Sequence, residues 1–216
     1  QVFIIIQLVM KFLLEEDRKI LVMSERREHL DNMSDLLKAE YAKALQKGCI
    51  MEEMDKKDKL CGFYRGGMKQ EELNVSEAAS VIFGTFSMIS EGFDVATLDT
   101  LILSTPKSDI VQTAGRILRK EEKDRERYPL IIDLVDVDIS LMANRLKARM
   151  RYYKKTKFEI HDYTISEEEK TKQLEKKGKK GGKSVKSIVI ETELEVLDEN
   201  LKTEKIPAVC LINDDD

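Results

Sequence analysis

The chain is short of cysteine, of long apolar runs, of net charge and of any complete phosphate-binding loop, and each shortage closes off a class of protein. Its three cysteines, Cys49, Cys61 and Cys210, are far apart and odd in number. That spacing excludes a disulfide scaffold or a close-paired metal knuckle and fits a reducing, intracellular compartment. No metal site is expected, and His29 and His161 stand alone as structural residues. Ser24 and His29 have no accompanying acid or oxyanion-forming turn, so they do not make a hydrolase site. The most apolar stretch, "VFIIIQLVMKFLL", is interrupted by Gln7 and Lys11 and falls short of the roughly 20 residues a membrane helix needs. It lacks a basic leader and a small-residue cleavage site, and reads as a buried helix with no membrane partner. The chain begins at Gln1 without an initiator methionine, which suggests a fragment or a processed chain. A formal net charge of −4 means that the molecule as a whole does not attract polyanions, so any nucleic-acid binding needs a local patch.

"GKKGGKS", Gly178 to Ser184, ends like a phosphate-binding loop but has three residues between its outer glycines where four are needed. The context also fails, because such a loop leaves a buried strand and opens a helix, whereas this stretch follows "KQLEKK" and runs into "VKSIVIETELE". It reads as a flexible basic linker.

What is present is 216 residues with 42% apolar content, enough for one domain of ordinary size and an extension. From Lys19 to about Tyr163 short apolar runs alternate with amphipathic stretches, predicting an α/β fold, a mostly parallel sheet flanked by helices on both faces. "KILVMS", "KLCGFY", "SVIFGTF", "TLILST" and "PLIIDLVD" read as strands and "KFEIHDYTI" as a closing strand. Leu30, Met33, Leu37, Tyr41 and Ala44 recur at helical spacing and predict a helix over Glu25–Gln46. Lys69 to Ser76 reads as a polar segment, Gly92 as a turn, and Ser108 to Arg119 as a helix. Ile139, Met142, Leu146 and Tyr153 mark a last helix with Asp138 as N-cap. The division expected is 1–165 for the domain and 166–216 for a lysine-rich linker and acidic extension. Weak order is expected around 168–186, with a strand or hairpin arm in "SVKSIVIETELEVL".

The stretch that carries chemistry is "GTFSMISEGFDVATLDTLILSTPKSDIVQTAGRILR", Gly84 to Arg119. On a helix, Ile110, Val111, Ala114, Ile117 and Leu118 are expected to face one way, with Gln112, Arg116 and Arg119 at i, i+4 and i+7 on the other. Gly115 beside them leaves room for another surface to approach. Two arginines on a rigid helix suit the stabilisation of charge on a transferring phosphoryl group, since each is permanently charged and binds oxygens bidentately.

"GTFSMISEGFDVATLDTLIL" and "QTAGRILR" resemble motifs V and VI of the second RecA-like lobe of superfamily 2 helicases. "KILVMSERREHLDNM" resembles motif IV, and "CGFYRGGMKQEEL" the strand and loop that follow it in helicases of large DNA viruses. The resemblance runs from about Glu16 to Asp162. It implies the second lobe of an ATP-dependent helicase, with Arg116 and Arg119 as arginine fingers and Gly92, Asp94, Gln112 and Gly115 completing the nucleotide-facing surface. It implies contact of Thr85 with a DNA or RNA backbone; Ser24, Arg26, Arg65 and Gly66 are further backbone candidates, and Tyr64 a candidate for stacking on a base. ATP and Mg²⁺ would be bound mainly by an N-terminal lobe absent from this chain, because no Asp-Glu-x-Asp or Asp-Glu-x-His motif is present. The chain alone is therefore expected to be inactive, and the protein to be intracellular, in cytoplasm, viral factory or virion. A translocating subunit of a restriction or remodelling system, or a passive nucleic-acid-binding module using Lys170 to Lys186, are the other readings.

Overall fold

The computed structural model describes residues 2–48, 60–117, 127–136, 139–164 and 186–191. The chain forms two compact units, the first Gln1–Thr105 with Ile110–Lys120, the second Pro106–Asp109 with Glu121–Asp216.

In the first unit, α1 (Val2–Glu15) buries Ile5, Ile6, Leu8, Val9, Phe12 and Leu13 and packs on α2 (Arg27–Gln46). Among the described residues no helix is long and apolar enough to cross a membrane. Strands β1 (Ile20–Ser24), β2 (Cys61–Tyr64), β3 (Val81–Thr85) and β4 (Thr100–Leu103) form a parallel array in the order β2-β3-β1-β4. Every residue of β1, β3 and β4 is buried, which is why these strands read as unbroken apolar runs rather than alternating ones. The expected helix over Glu25–Gln46 is α2, with Leu30, Met33, Leu37 and Tyr41 buried.

Two helices stand where the sequence suggested a polar segment and a turn. The first is α3 (Gln70–Glu77), which buries only Leu73 and Ser76. It lies so close to β2 that a Cβ on Gly62 would stand 2.5 Å from the Ser76 carbonyl oxygen. The second, α4 (Phe86–Gly92), ends at Gly92, and the chain leaves it extended through Phe93. The last helix of this unit is α5 (Val111–Ile117).

In the second unit, β5 (Leu130–Val135), β7 (Lys186–Glu191) and β6 (Glu159–Thr164) form an antiparallel array with β7 in the middle. The arm expected in the C-terminal extension is therefore a central strand. Helix α6 (Ser140–Lys155) buries Arg149 and Tyr153. Arg149 meets Asp133 of β5 through two hydrogen bonds of 2.6 and 2.8 Å, and both residues are 1% exposed. Tyr153 donates its hydroxyl to the same carboxylate at 3.0 Å. Burial pushes the Asp133 carboxyl and the Tyr153 hydroxyl up, while Arg149 pulls both the other way. The third arm of the guanidinium donates to the Lys107 carbonyl, and Arg145 donates to that of Pro106. Beyond α6, Lys157 takes a left-handed conformation, φ 59°, and Phe158 N–H returns to the Tyr153 carbonyl as in a Schellman motif. The Asp138 cap and the segments 118–126, 165–185 and 192–216 lie outside the described residues.

Candidate nucleotide-facing and nucleic-acid-facing surface

Parallel strands gather their carboxyl ends on one edge, the usual place for ligands in such sheets. Ser24 is the register partner of Thr85, and Tyr64 that of Gly84, so the ends of β1, β3 and β2 lie side by side. The end of β4 joins them, because Ser104 Oγ donates to the Met23 carbonyl and Thr105 Oγ1 accepts the Glu25 N–H. Ser24, Arg26, Tyr64, Arg65, Gly66 and Thr85 lie at or just beyond these strand ends, but their side chains are not equally available.

Ser24 is fully buried, and its hydroxyl accepts the Arg26 N–H and meets His29 Nδ1, each at 3.1 Å. It shapes the turn into α2 and offers no hydroxyl to a ligand. Burial, helped by the positive charge of Arg26, lowers the pKa of His29 and so favours the neutral ring. Arg26 itself is exposed. Thr85 precedes α4 with its hydroxyl 3.5 Å from that of Ser87. Arg65 lies 4.5 Å over the ring of Phe63 and donates to Asp31 at 2.6 Å, so a phosphate would have to displace or share that carboxylate. Gly67 needs its freedom, with φ at +90°. A Cβ on Gly66 would stand 3.1 Å from the guanidinium of Arg27 and 3.9 Å from Met88 Sδ. Arg27, exposed beside this loop, escaped the sequence reading although it is the second residue of an Arg-Arg pair.

Tyr64 is the main correction. It is 3% exposed and stands edge-on to Phe93, 4.9 Å between centroids at 84°. No ring face is left for a base. Burial and Glu77 raise the pKa of its hydroxyl, and the Arg116 charge opposes them.

Ile110, just before α5, and Thr113 and Ala114 on it are buried, whereas Val111, expected beside them, is 52% exposed. A residue one step from Ile110 is turned by about 100° on a 3.6-residue helix. Gln112 is exposed, and one turn on, Arg116 is half-buried and donates Nη2 to the Ser90 carbonyl of α4 at 3.2 Å. Among the described residues a Cβ on Gly115 would meet nothing within 4 Å. Asp94 is exposed just beyond α4. Arg119 lies outside the described residues, and among those described no group of three His, Cys, Asp or Glu could hold a metal ion.

The site is thus a parallel α/β array whose Arg116-bearing helix α5 docks on α4, the helix that follows β3. No family model matches the chain. It is 45% identical over 111 residues to "Putative ATP-dependent RNA helicase L396" of Acanthamoeba polyphaga mimivirus, covering 51% of this chain and 21% of the relative. It is 35% identical over 86 residues to "Putative helicase 161L" of Invertebrate iridescent virus 6, covering 39% of this chain and 18% of that protein. "Uncharacterized protein 108L" of Invertebrate iridescent virus 3 is 35% identical over 91 residues, 42% of this chain and 83% of that protein. The chain belongs to the same family as this iridescent virus 3 protein, and it spans about a fifth of the length of the helicase-named relatives it matches. Among solved structures, domain 2 of the DEAD-box helicase Mss116p aligns at TM-score 0.42 and 16% identity, covering 58% of this chain and 46% of that one. T4 UvsW aligns at 0.40 and 25%, covering 56% and 22%.

Proposed function

We propose that the chain is the second motor lobe of an ATP-dependent helicase or translocase, with Arg116 reaching a nucleotide bound by a first lobe. The observation that carries this is Arg116 itself: one turn after Gln112 on α5 and held by the end of α4, beside Gly115, where no described residue would crowd even a Cβ. Arg119 would be the second finger, and Gly92 and Asp94 would complete the rim. The nucleotide is ATP, as the name of the mimivirus relative has it. In this reading the first lobe holds ATP and Mg²⁺, and the second lobe supplies fixed positive charge as negative charge shifts on the phosphoryl group. Residues 1–165 make up the lobe, and alone it does not turn over ATP.

The nucleic-acid backbone, DNA or RNA, would run along the strand ends past Thr85, Arg26, Arg27 and the Gly66–Gly67 loop, with Arg65 exchanging Asp31 for a phosphate. Such contacts position a strand without reading its sequence. The protein would act inside the cell, in cytoplasm, viral factory or virion.

The test uses the full-length protein with both lobes. Arg116→Ala is expected to leave ATP binding nearly intact and to lower turnover by about a thousandfold or more, the range for loss of a finger. Lysine should restore little, because a point charge does not reproduce the guanidinium fork. Wild-type turnover in Arg116→Ala would rule the assignment out.

A further inference from the structure

Tyr64 ends β2 on the edge assigned to nucleic acid, yet its ring is turned away from solvent and toward α4. Phe93, fully buried against it, is the extended residue that follows α4. Three residues before Phe93 stands Ser90, whose main-chain carbonyl holds Arg116. The last carbonyls of a helix have no partner within it, so this one is free to accept the guanidinium. Ser90 Oγ in turn donates to the Phe86 carbonyl, turning its side chain back along the helix. The direction of that last turn depends on where Phe93 is pinned, and the edge-on contact with Tyr64 pins it. Met88 of the same short helix lies by the Gly66 loop, 3.9 Å from where a Cβ on Gly66 would stand.

We propose that Tyr64 is a positioning residue for Arg116: its ring, through Phe93, sets the end of α4 whose Ser90 carbonyl aims the guanidinium. The proposal rests on the reading of Arg116 as a finger. The Tyr64 hydroxyl is a secondary part of the arrangement. It lies in the field of both Glu77 and Arg116, which act on its acidity in opposite directions, so it is close enough to the finger to feel its charge. The ring contact is shared by phenylalanine; the hydroxyl is not.

In the full-length two-lobe protein, Tyr64→Leu is expected to lower the kcat of ATP hydrolysis by about tenfold to a hundredfold, the scale for a small misplacement of a catalytic group. The KM for ATP and the affinity for single-stranded nucleic acid should stay within about twofold, since nothing that binds either one in the ground state is removed. Tyr64→Phe should restore most of the rate. Phe93→Leu should copy Tyr64→Leu, and circular dichroism of both leucine variants checks that they fold. In an Arg116→Ala background, Tyr64→Leu should cost little more, because two residues serving one interaction do not add. Multiplying losses, or a fall in nucleic-acid affinity with kcat kept, would overturn the positioning role while Arg116→Ala alone remains impaired. Wild-type turnover in Arg116→Ala would bring down the finger reading and this proposal together. Should Tyr64→Leu not fold, Tyr64→Phe and Phe93→Leu carry the test: equal kcat losses in both, multiplying with Arg116→Ala, would overturn it.

Discussion

The two units treat buried polarity in opposite ways. Among the described residues, those buried and polar in the first unit are all hydroxyls: Ser24, Ser34, Ser76, Thr85, Thr100, Ser104 and Thr113. In the second they are a charged pair, Asp133 and Arg149. A buried hydroxyl needs one main-chain partner to offset its desolvation, and several find one at the end of a strand or the start of a helix, as Ser24 and Ser104 do. The first unit thereby fixes its strand ends and leaves Arg26 and Arg27 exposed beside them. The second invests its charge in the interior, where two ions lose water and the attraction between them must compensate. Exposed charge can be exchanged for a ligand; buried charge resists any change of partner.

That contrast can be broken most forcefully at Arg149. Arg149→Met strands a buried carboxylate and should cost about 3–5 kcal/mol in urea unfolding, whereas adding Asp133→Leu should recover much of the loss. A cost below about 1 kcal/mol for the single variant would mean that the pair does not hold the second unit together. The first unit should be most sensitive at a contact with no charge at all. Gly62→Ala sets a methyl group against the backbone of Ser76 and should cost about 1–3 kcal/mol, the range for overpacking. An unchanged midpoint would show that α3 can move off β2. The smallest effect is expected at His29. Its pKa is depressed by burial, so the folded state resists protonation that the unfolded chain accepts. Stability from this group is fully present above the ordinary histidine value, about 6.5, and declines as pH falls below it. His29→Gln should flatten the pH dependence of the unfolding midpoint between pH 7.5 and 5.5, and an unaltered slope would remove His29 as its source.

The parts of the fold that could be read from the sequence are those where burial is complete. Strands β1, β3, β4 and β5 are buried at every position and stand out as apolar runs. The helix α3 did not stand out because it buries only Leu73 and Ser76, too narrow a face to make a stripe. A trace was there: the Lys69 N–H is capped by Glu72 at 2.8 Å, the acidic half of a capping box three residues on. Among the candidate residues, the Gln112–Arg116 face follows directly from helical spacing. Tyr64 does not, because β2 alternates, with Gly62 and Tyr64 buried and Cys61 and Phe63 partly exposed. In "GFY" either aromatic could point inward, and only the register of the strand decides which one does. The pairing of Arg65 with Asp31 was equally hidden, since it joins residues from separate elements.

One consequence of the β6–β7 pairing concerns what natural variation and engineering can do with the lysine-rich stretch. Thr164 and Lys186 are opposite each other in the ladder, so the two ends that any connection between β6 and β7 must join are neighbours. Closing so short a gap makes little demand on the length of what joins them, since each doubling of a flexible closed loop costs only about 0.6 kcal/mol. A tight hairpin, a longer basic tract or an entire inserted domain could join these ends with the β5, β7 and β6 pairing unchanged.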